Sequence, residues 1–243
     1  MLAIYKREIQ AFFTSPIGYL VIGLFLVLTG LFLWVFKGQY NIFEYGFADL
    51  DKFFLLAPWV FLFLVPAITM RSFSEEIKLG TLELLFIKPI PISHTVIGKF
   101  LGTLTLATIA IIPTFLYVYA VSQLGTTVGN LDMGIVFGSY AGLLFLICSY
   151  ISVGLFTSTL TENQIVAFIL GIVLCFFLFY GFEGIGGIIP NGEIALFLEN
   201  LGMKAHFANI SKGVLDTRDF IYFLSICLFF LYLTVVQLKN RNR

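Results

Sequence analysis

The residues of this chain that could carry out chemistry do not form a catalytic motif. Glu75 and Glu76 form a pair of adjacent glutamates, but the arginine that one class of membrane protease has four residues later is replaced by Gly80. The sequence contains neither HExxH nor GxSG, which are patterns of zinc proteases and of serine hydrolases. We therefore expect that the chain is not an enzyme.

Nucleotide and metal binding have equally little support in the sequence. Lys99 follows a glycine, as the lysine of a phosphate-binding loop does, but Ser93 stands where that loop needs its first glycine. His94 and His206 lie far apart and are expected to be polar loop residues, not metal ligands. The cysteines lie in apolar runs without CxxC spacing, so a role as small buried hydrophobic residues is favoured over paired thiols or metal ligands. We predict no cofactor on this chain.

The composition is typical of a protein embedded in a membrane. Hydrophobic residues make up 59% of the 243 residues and charged residues 12%, whereas a soluble domain has roughly 45–50% apolar and about 25% charged residues. The formal net charge is zero, so nothing indicates a nucleic-acid partner. The composition predicts a polytopic protein whose surroundings are the lipid bilayer.

Six apolar segments are long enough to span a membrane, because about 20 helical residues cross the ~30 Å hydrocarbon core. Prolines inside two of them are tolerable where neighbouring helices cover the freed carbonyl groups. Residues 1–243 are therefore predicted to form a single all-α transmembrane domain. The predicted spans are residues 17–36, 53–70, 97–121, 134–155, 164–182 and 220–238.

Lysine and arginine are distributed unevenly between the two sides of these spans. Nine of them fall on the side that holds both chain termini and five on the other side. The positive-inside rule then places both termini, and the segment between spans two and three, in the cytoplasm. No ionisable residue lies near the middle of a predicted span, which argues against an ion-coupled carrier.

The first 15 residues are predicted to form an amphipathic helix that lies at the membrane interface. One face is apolar, and the other carries Lys6 and Arg7. A helical run-in to the first span is the alternative. The elbow after this helix is expected at Ser15-Pro16.

The external segment 183–219 is predicted to contain two short, partly apolar helices. It is too polar to span the membrane and too apolar to be fully solvated, so we expect re-entrant or interfacial half-helices. An ordinary external loop is the alternative. The residues that break the end of the fifth span are candidates for an external gate: Glu183, Gly186, Gly187 and Pro190.

The cytoplasmic segment 72–91 is predicted to be a short amphipathic element. Ser72 and Glu75 fit a capping box that would start a helix. Gly80 bends or weakens this helix, and its small size would let the backbone of a partner approach closely. Pro89 stops the run. A linker helix that merely lies at the lipid headgroups remains an equal alternative.

This segment resembles the coupling-helix segment of ABC-2-type transporter permeases. The stretch "SFSEEIKLGTLELLFIKPIPISHTVIGK" matches the family's Gly-Thr-Leu-Glu-x-Leu pattern with its following Pro-Ile. "YKREIQAFFTSPIGYL" is similar to the family's interfacial helix and first span, and "HFANISKGVLDTRDFIYFLS" to the segment that leads into its sixth span. The resemblance covers nearly the whole chain. It implies a type V exporter-like fold: six transmembrane helices with an N-terminal interfacial helix, a cytoplasmic coupling helix and external re-entrant half-helices.

The resemblance also implies partners. In the family, the coupling helix docks on a cytoplasmic ABC ATPase dimer, which carries the ATP and Mg²⁺, and a second permease subunit completes a homodimer or heterodimer. A bacterial inner-membrane location follows. Lys99 opens the third span. The docking candidates by this resemblance are Glu75, Glu76, Gly80, Thr81, Leu82, Glu83, Leu85 and Pro89.

Within the family, "MLAIYKREIQAFFTSPIGYLVIGLFL" and "LDMGIVFGSYAGLLFL" most resemble the gliding-motility-associated permeases of Bacteroidota. That likeness implies a partner permease with a periplasmic domain. Permeases of nitrous-oxide-reductase maturation share much of the pattern, and lipid or polysaccharide export is a further alternative. A membrane scaffold without transport is the competing hypothesis from another class. The sequence names no substrate.

Overall fold

The computed structural model describes residues 1–82, 91–125, 131–213 and 216–241. Within these ranges every regular element is helical. The helices are α1 (Leu2–Thr14), α2 (Pro16–Gly30), α3 (Ile42–Tyr45), α4 (Asp51–Thr69), α5 (Arg71–Lys78), α6 (Ile92–Ile111), α7 (Phe115–Leu124), α8 (Met133–Leu160), α9 (Gln164–Phe176), α10 (Phe182–Gly186), α11 (Gly192–Glu199), α12 (Met203–Ser211) and α13 (Thr217–Arg241).

Six helical stretches are long and apolar enough to cross a membrane, which confirms the prediction of an all-α protein with six spans. Several run beyond the predicted bounds, because helical structure continues into the polar flanks that hydropathy excludes. The stretches are Pro16–Val35, Asp51–Lys78, Ile92–Leu124, Met133–Leu160, Gln164–Gly186 and Thr217–Arg241.

The second span shows why the capping prediction for Ser72 is wrong. Met70 has helical dihedral angles, with φ −53° and ψ −34°, and its N–H bonds to the carbonyl of Pro66. The helix α5 therefore continues from α4 without a start signal of its own. Ser72 lies inside this continuous helix, so there is no helix start for its side chain to cap.

The second and fourth spans form the centre of the bundle. Within their most apolar windows, 72% of the residues are buried, against 22–39% in the other four spans. The outer spans therefore turn much of their apolar surface toward lipid or toward another subunit. We call the end of the bundle that holds both termini the terminal face, and the opposite end the distal face.

Two peripheral spans contain a wider helical turn near one end. The first span finishes with a π-helical turn at Leu31–Val35, and the fifth contains one at Phe177–Gly181. A π turn holds one residue more than an α-helical turn; such turns are rare, and they are frequently found at functional sites. Both lie toward the distal face.

The central pair of spans packs closely at Gly154. A Cβ atom on this glycine of α8 would lie 3.0 Å from Cβ of Thr69 on α4 and still closer to the Thr69 hydroxyl. Gly171 on α9 approaches Pro66 in the same way, at 3.1 Å. Small residues at helix contacts let membrane helices gain van der Waals packing where the hydrophobic effect gives little.

We expect Gly154→Ala to destabilise the protein by about 1–3 kcal/mol, because the added methyl group forces α8 away from α4. Unfolding in mixed detergent micelles measures the change. Gly23→Ala is the matched control, since a Cβ there meets nothing within 4 Å. Equal stability of the two variants would contradict the close packing described here.

Candidate functional site

A buried lysine lies at the terminal face, where α1, α5 and α6 meet. Lys99 on α6 is only 2% exposed. Its Nζ donates to the Ser72 carbonyl oxygen at 2.7 Å, to Glu76 Oε1 at 2.9 Å and to Glu8 Oε1 at 3.1 Å. A lysine ammonium has three protons to donate, so these three acceptors from two other helices satisfy it fully.

Arg7 completes this cluster from α1. Its Nη2 donates to Glu76 Oε1 at 2.9 Å and to Glu8 Oε1 at 3.2 Å. Burial lowers the pKa of Arg7, but the carboxylates of Glu76 and Glu8 outweigh that effect and raise it above its usual value. The guanidinium is thus held in its charged form. We call Arg7, Glu8, Glu76 and Lys99 the charge cluster; its two cations and two anions balance.

The approach of α1 to α6 depends on two glycines. A Cβ on Gly98 would lie 3.0 Å from Ile4, and one on Gly102 would lie 2.7 Å from Cβ of Glu8. The spacing Gly98-xxx-Gly102 therefore forms a groove on α6 in which α1 rests, as small residues four apart do in membrane helix pairs. Tyr5 adds a hydrogen bond to Thr105 at 3.1 Å.

The sequence pattern predicted only some of the residues that face inward on α1. Ile4 and Phe12 are buried there, and Glu8, one helical turn from each, faces inward between them. Lys6 is exposed, as predicted for the polar face. Two signals could have revealed the cluster: the small-residue spacing on α6, and a glutamate placed between apolar residues four apart.

The predicted docking residues fall into two groups in the structure. Glu76 belongs to the charge cluster, and Leu82 is 6% exposed within the hydrophobic core, so both face inward. Glu75, Gly80 and Thr81 are exposed. Glu83, Leu85 and Pro89 lie outside the described residues.

An exposed apolar side chain, missed by the sequence analysis, stands beside the exposed docking residues. Leu79 is 67% exposed at the end of α5, next to Lys78. A leucine in this position has no core to fill. Its exposure at the tip of a long helix was not visible in a hydropathy pattern, which shows only that the residue is apolar.

Gly80 has a conformational reason to be glycine. Its φ is +67°, in the left-handed region that side chains disfavour. The Gly80 N–H bonds to the Ile77 carbonyl at 3.1 Å, and the Thr81 N–H bonds to the Glu76 carbonyl at 3.0 Å. This is the Schellman arrangement that ends a helix. A Cβ there would meet nothing within 4 Å. The backbone angle, and not a lack of space, therefore favours glycine at this position.

On the distal face, an ion pair and a histidine–carboxylate hydrogen bond hold α12 in place. Lys204 Nζ lies 2.7 Å from Glu183 Oε1, after the π turn of the fifth span. His206 Nδ1 lies 2.6 Å from Asp219 Oδ1, at the start of α13. The prediction that His206 is a polar loop residue is wrong, because residues 203–211 are helical and its ring stacks on Tyr222 with centroids 3.9 Å apart.

The surroundings of His206 define its hydrogen bonds. Its Nδ1 faces the Asp219 carboxylate, and its Nε2 lies 2.9 Å from the Asn200 carbonyl oxygen. Both partners accept, so the ring donates both bonds only when it carries two protons. Asp219 is 4% exposed, which makes this a buried attachment of α12 to the sixth span.

The predicted external gate residues surround the short helices of the distal face. Glu183 forms the ion pair with Lys204. Gly186 allows close approach of α11, since a Cβ there would lie 3.1 Å from the Ala195 carbonyl oxygen. Gly187 and Pro190 lie in the turn between α10 and α11. The helix α11 buries none of its residues, and Phe197 is 66% exposed.

The fold and these clusters define a class of protein. Six helices are long and apolar enough to cross a membrane, and the part of the chain that the structure describes contains no group of three or more His, Cys, Asp or Glu side chains that could hold a metal ion. The chain is a polytopic helical membrane protein whose buried charged groups, Lys99 and Asp219, fasten its own helices together.

The family follows from comparison with known proteins. Residues 2–241 match the family described as ABC-2 family transporter protein, and the chain belongs to that family. Membership makes it a membrane component of a transporter and implies an ABC ATPase as its partner. No curated protein matches the chain.

We expect Lys99→Met to destabilise the protein by about 3 kcal/mol, because removal of one partner leaves Glu8 and Glu76 buried with less compensation. Detergent unfolding measures the loss. Lys6→Met removes the same charge from the exposed face of α1 and should change stability little. If the two variants unfold alike, the charge cluster does not hold α1 in place.

We expect His206→Phe to cost about 2–3 kcal/mol, because the aromatic ring remains beside Tyr222 while the carboxylate of Asp219 is left buried and unpaired. Thermal unfolding in detergent measures this loss of stability. Arg218→Gln is the control, since that side chain is 89% exposed. A stable His206→Phe protein would show that the contact between His206 and Asp219 does not anchor α12.

Proposed function

We propose that this chain is the permease subunit of an ABC transporter of a bacterial inner membrane, with the terminal face in the cytoplasm. A cytoplasmic ATPase dimer binds ATP and Mg²⁺, and a second permease subunit, identical or different, completes the assembly. The observation that carries this proposal is the family match over residues 2–241. The six spans and the uneven distribution of Lys and Arg support it.

The end of α5 is the proposed contact with the ATPase. It carries the exposed residues Glu75, Leu79 and Thr81 on the terminal face. Glu83, Leu85 and Pro89 remain docking candidates through the family resemblance. Glu76 has a different part in this proposal: it joins α5 to α1 and α6 through the charge cluster.

The charge cluster gives a route for movement from the ATPase to the spans. A displacement of α5 would act directly on Lys99 in the third span and on Arg7 in α1, because both bond to the same oxygen of Glu76. The helix α5 also continues from the second span. One contact at the tip of α5 therefore reaches two spans and the N-terminal helix as a rigid unit.

The distal segments fit an external gate in this scheme. The helix α12 is tied to the fifth span by the Lys204–Glu183 ion pair and to the sixth span by the His206–Asp219 hydrogen bond. The exposed apolar face of α11 fits placement in the outer leaflet of the membrane. Movement of the outer spans would then move α12, and with it Gly186 and Gly187.

Within the family, we propose the gliding-motility system, on the sequence likeness of the N-terminal helix and the fourth span. Its second permease would carry a periplasmic domain. Nitrous-oxide-reductase maturation and lipid or polysaccharide export are the alternatives. Affinity purification in mild detergent, with identification of the co-purifying subunits, separates them; absence of any ATPase would favour a scaffold without transport.

We expect Leu79→Glu to reduce co-purification of the ATPase at least several-fold, because it removes an apolar contact and places charge in the docking surface. Quantitative mass spectrometry of the purified complex gives the ratio of subunits. Leu124→Glu, at a leucine that is 52% exposed on the distal face, controls for insertion and expression. Equal amounts of ATPase with both variants would overturn the proposed docking surface.

Gly80 offers a way to separate turn geometry from docking. Gly80→Ala forces a Cβ into the left-handed region at a cost of about 1 kcal/mol, whereas asparagine tolerates that region better. We expect Gly80→Asn to bind more ATPase than Gly80→Ala. A stronger defect in Gly80→Asn, the larger substitution, would instead assign the glycine to close approach of the partner.

A further inference from the structure

A cavity on the distal face joins a basic mouth to an apolar floor. It has a volume of ≈ 270 Å³ and lies between the start of α4, the π turn of the fifth span and α12. Its charged lining consists of three lysines and one carboxylate, namely Lys52, Lys204, Lys212 and Asp51. The excess of positive charge indicates an anionic ligand.

Two of the three ammonium groups are available to such a ligand. Lys204 is paired with Glu183 at 2.7 Å. Lys52 lies 3.8 Å from the centroid of the Tyr45 ring, and Lys212 is exposed. Among the residues that the structure describes, neither Lys52 nor Lys212 has a carboxylate within ion-pair distance.

The shape of the cavity adds a second requirement. Lys52 and Trp59 are seven residues apart on α4, which is about 10 Å along a helix at 1.5 Å per residue. Around Trp59 the wall is aromatic, with Phe179 and Phe207. Leu55, which lies between Lys52 and Trp59 on α4, also lines the cavity and is 46% exposed. This side of the cavity therefore opens toward the lipid-facing surface of the bundle.

We propose that this cavity binds an anionic phospholipid from the membrane leaflet on the distal face. Its phosphate lies between the ammonium groups of Lys52 and Lys212, and the first carbons of one acyl chain lie against Trp59 and Phe207. A free phosphate would leave the apolar floor in water, and a zwitterionic lipid would bring no net charge to the basic mouth. The bound lipid would join α4 to α12, which the contacts to Glu183 and Asp219 already attach to the fifth and the sixth span. This inference does not depend on the ATPase partner.

Native mass spectrometry of the full chain in detergent tests the proposal, with dioleoyl phosphatidylglycerol and dioleoyl phosphatidylcholine as probes. We expect the wild-type protein to retain phosphatidylglycerol preferentially. The double variant Lys52→Gln/Lys212→Gln should weaken phosphatidylglycerol binding by about tenfold and leave phosphatidylcholine unchanged, since each lysine near a membrane surface contributes appreciably to anionic-lipid affinity.

The matched control is the double variant Lys37→Gln/Arg218→Gln, which removes two cations from the same face but outside the cavity. This variant should keep the preference for phosphatidylglycerol. Equal loss in both double variants, or equal binding of the two lipids by the wild type, would overturn the site.

The variant Ala208→Phe tests the apolar part, because Ala208 lines the cavity and the added ring would fill it while all lysines remain. We expect it to reduce phosphatidylglycerol binding as well. If inorganic phosphate displaces phosphatidylglycerol completely and Ala208→Phe has no effect, the lysines bind a small anion and the lipid proposal is wrong.

Discussion

Burial of the Lys99 ammonium is the constraint on which the terminal face depends. Removal of such an ion from water costs several kcal/mol even after relaxation, and only well-placed partners offset that cost. Here the partners come from three places: the carboxylate of Glu8, the carboxylate of Glu76 and the backbone of Ser72. The observed arrangement of α1, α5 and α6 brings all three to one nitrogen. A short N-terminal helix is thereby held against a chain segment 91 residues away.

The distal face uses the same physical device with different groups. In the apolar middle of the bundle, packing of small residues such as Gly154 and Gly171 holds the central spans, because hydrophobic burial drives helix association weakly inside lipid. At the two ends, ion pairs specify which helix meets which. Glu183 and Asp219 hold α12 from opposite sides. The bundle therefore has a closely packed centre and electrostatically specified ends.

The spans were predictable from sequence and the clusters were not. An apolar run of about 20 residues has few possible structures in a membrane, so the number of such runs predicts the number of spans. The positions of Glu8 and Lys99 depended on how α1 crosses α6, which is a tertiary fact; only the spacing of Gly98 and Gly102 hinted at it. The role of His206 was mispredicted for a related reason, because its partner Asp219 lies on another helix, α13. Gly80 was recognised as special, but its positive φ follows from how α5 ends.

The π turn at Phe177–Gly181 makes the attachment of α12 dependent on how the fifth span winds. This turn amounts to one residue inserted into an α-helix. Glu183 follows it directly and reaches Lys204 from its present side of the helix. If the same five residues wound as regular α-helix instead, all that follows would rotate by about 100°, since an α-helix has 3.6 residues per turn and a π turn holds one residue more. The glutamate would then point away from α12. Deletion of one residue from the turn would compensate for this rotation and return Glu183 to its present side, so the ion pair with Lys204 depends on the winding and the length of this segment together.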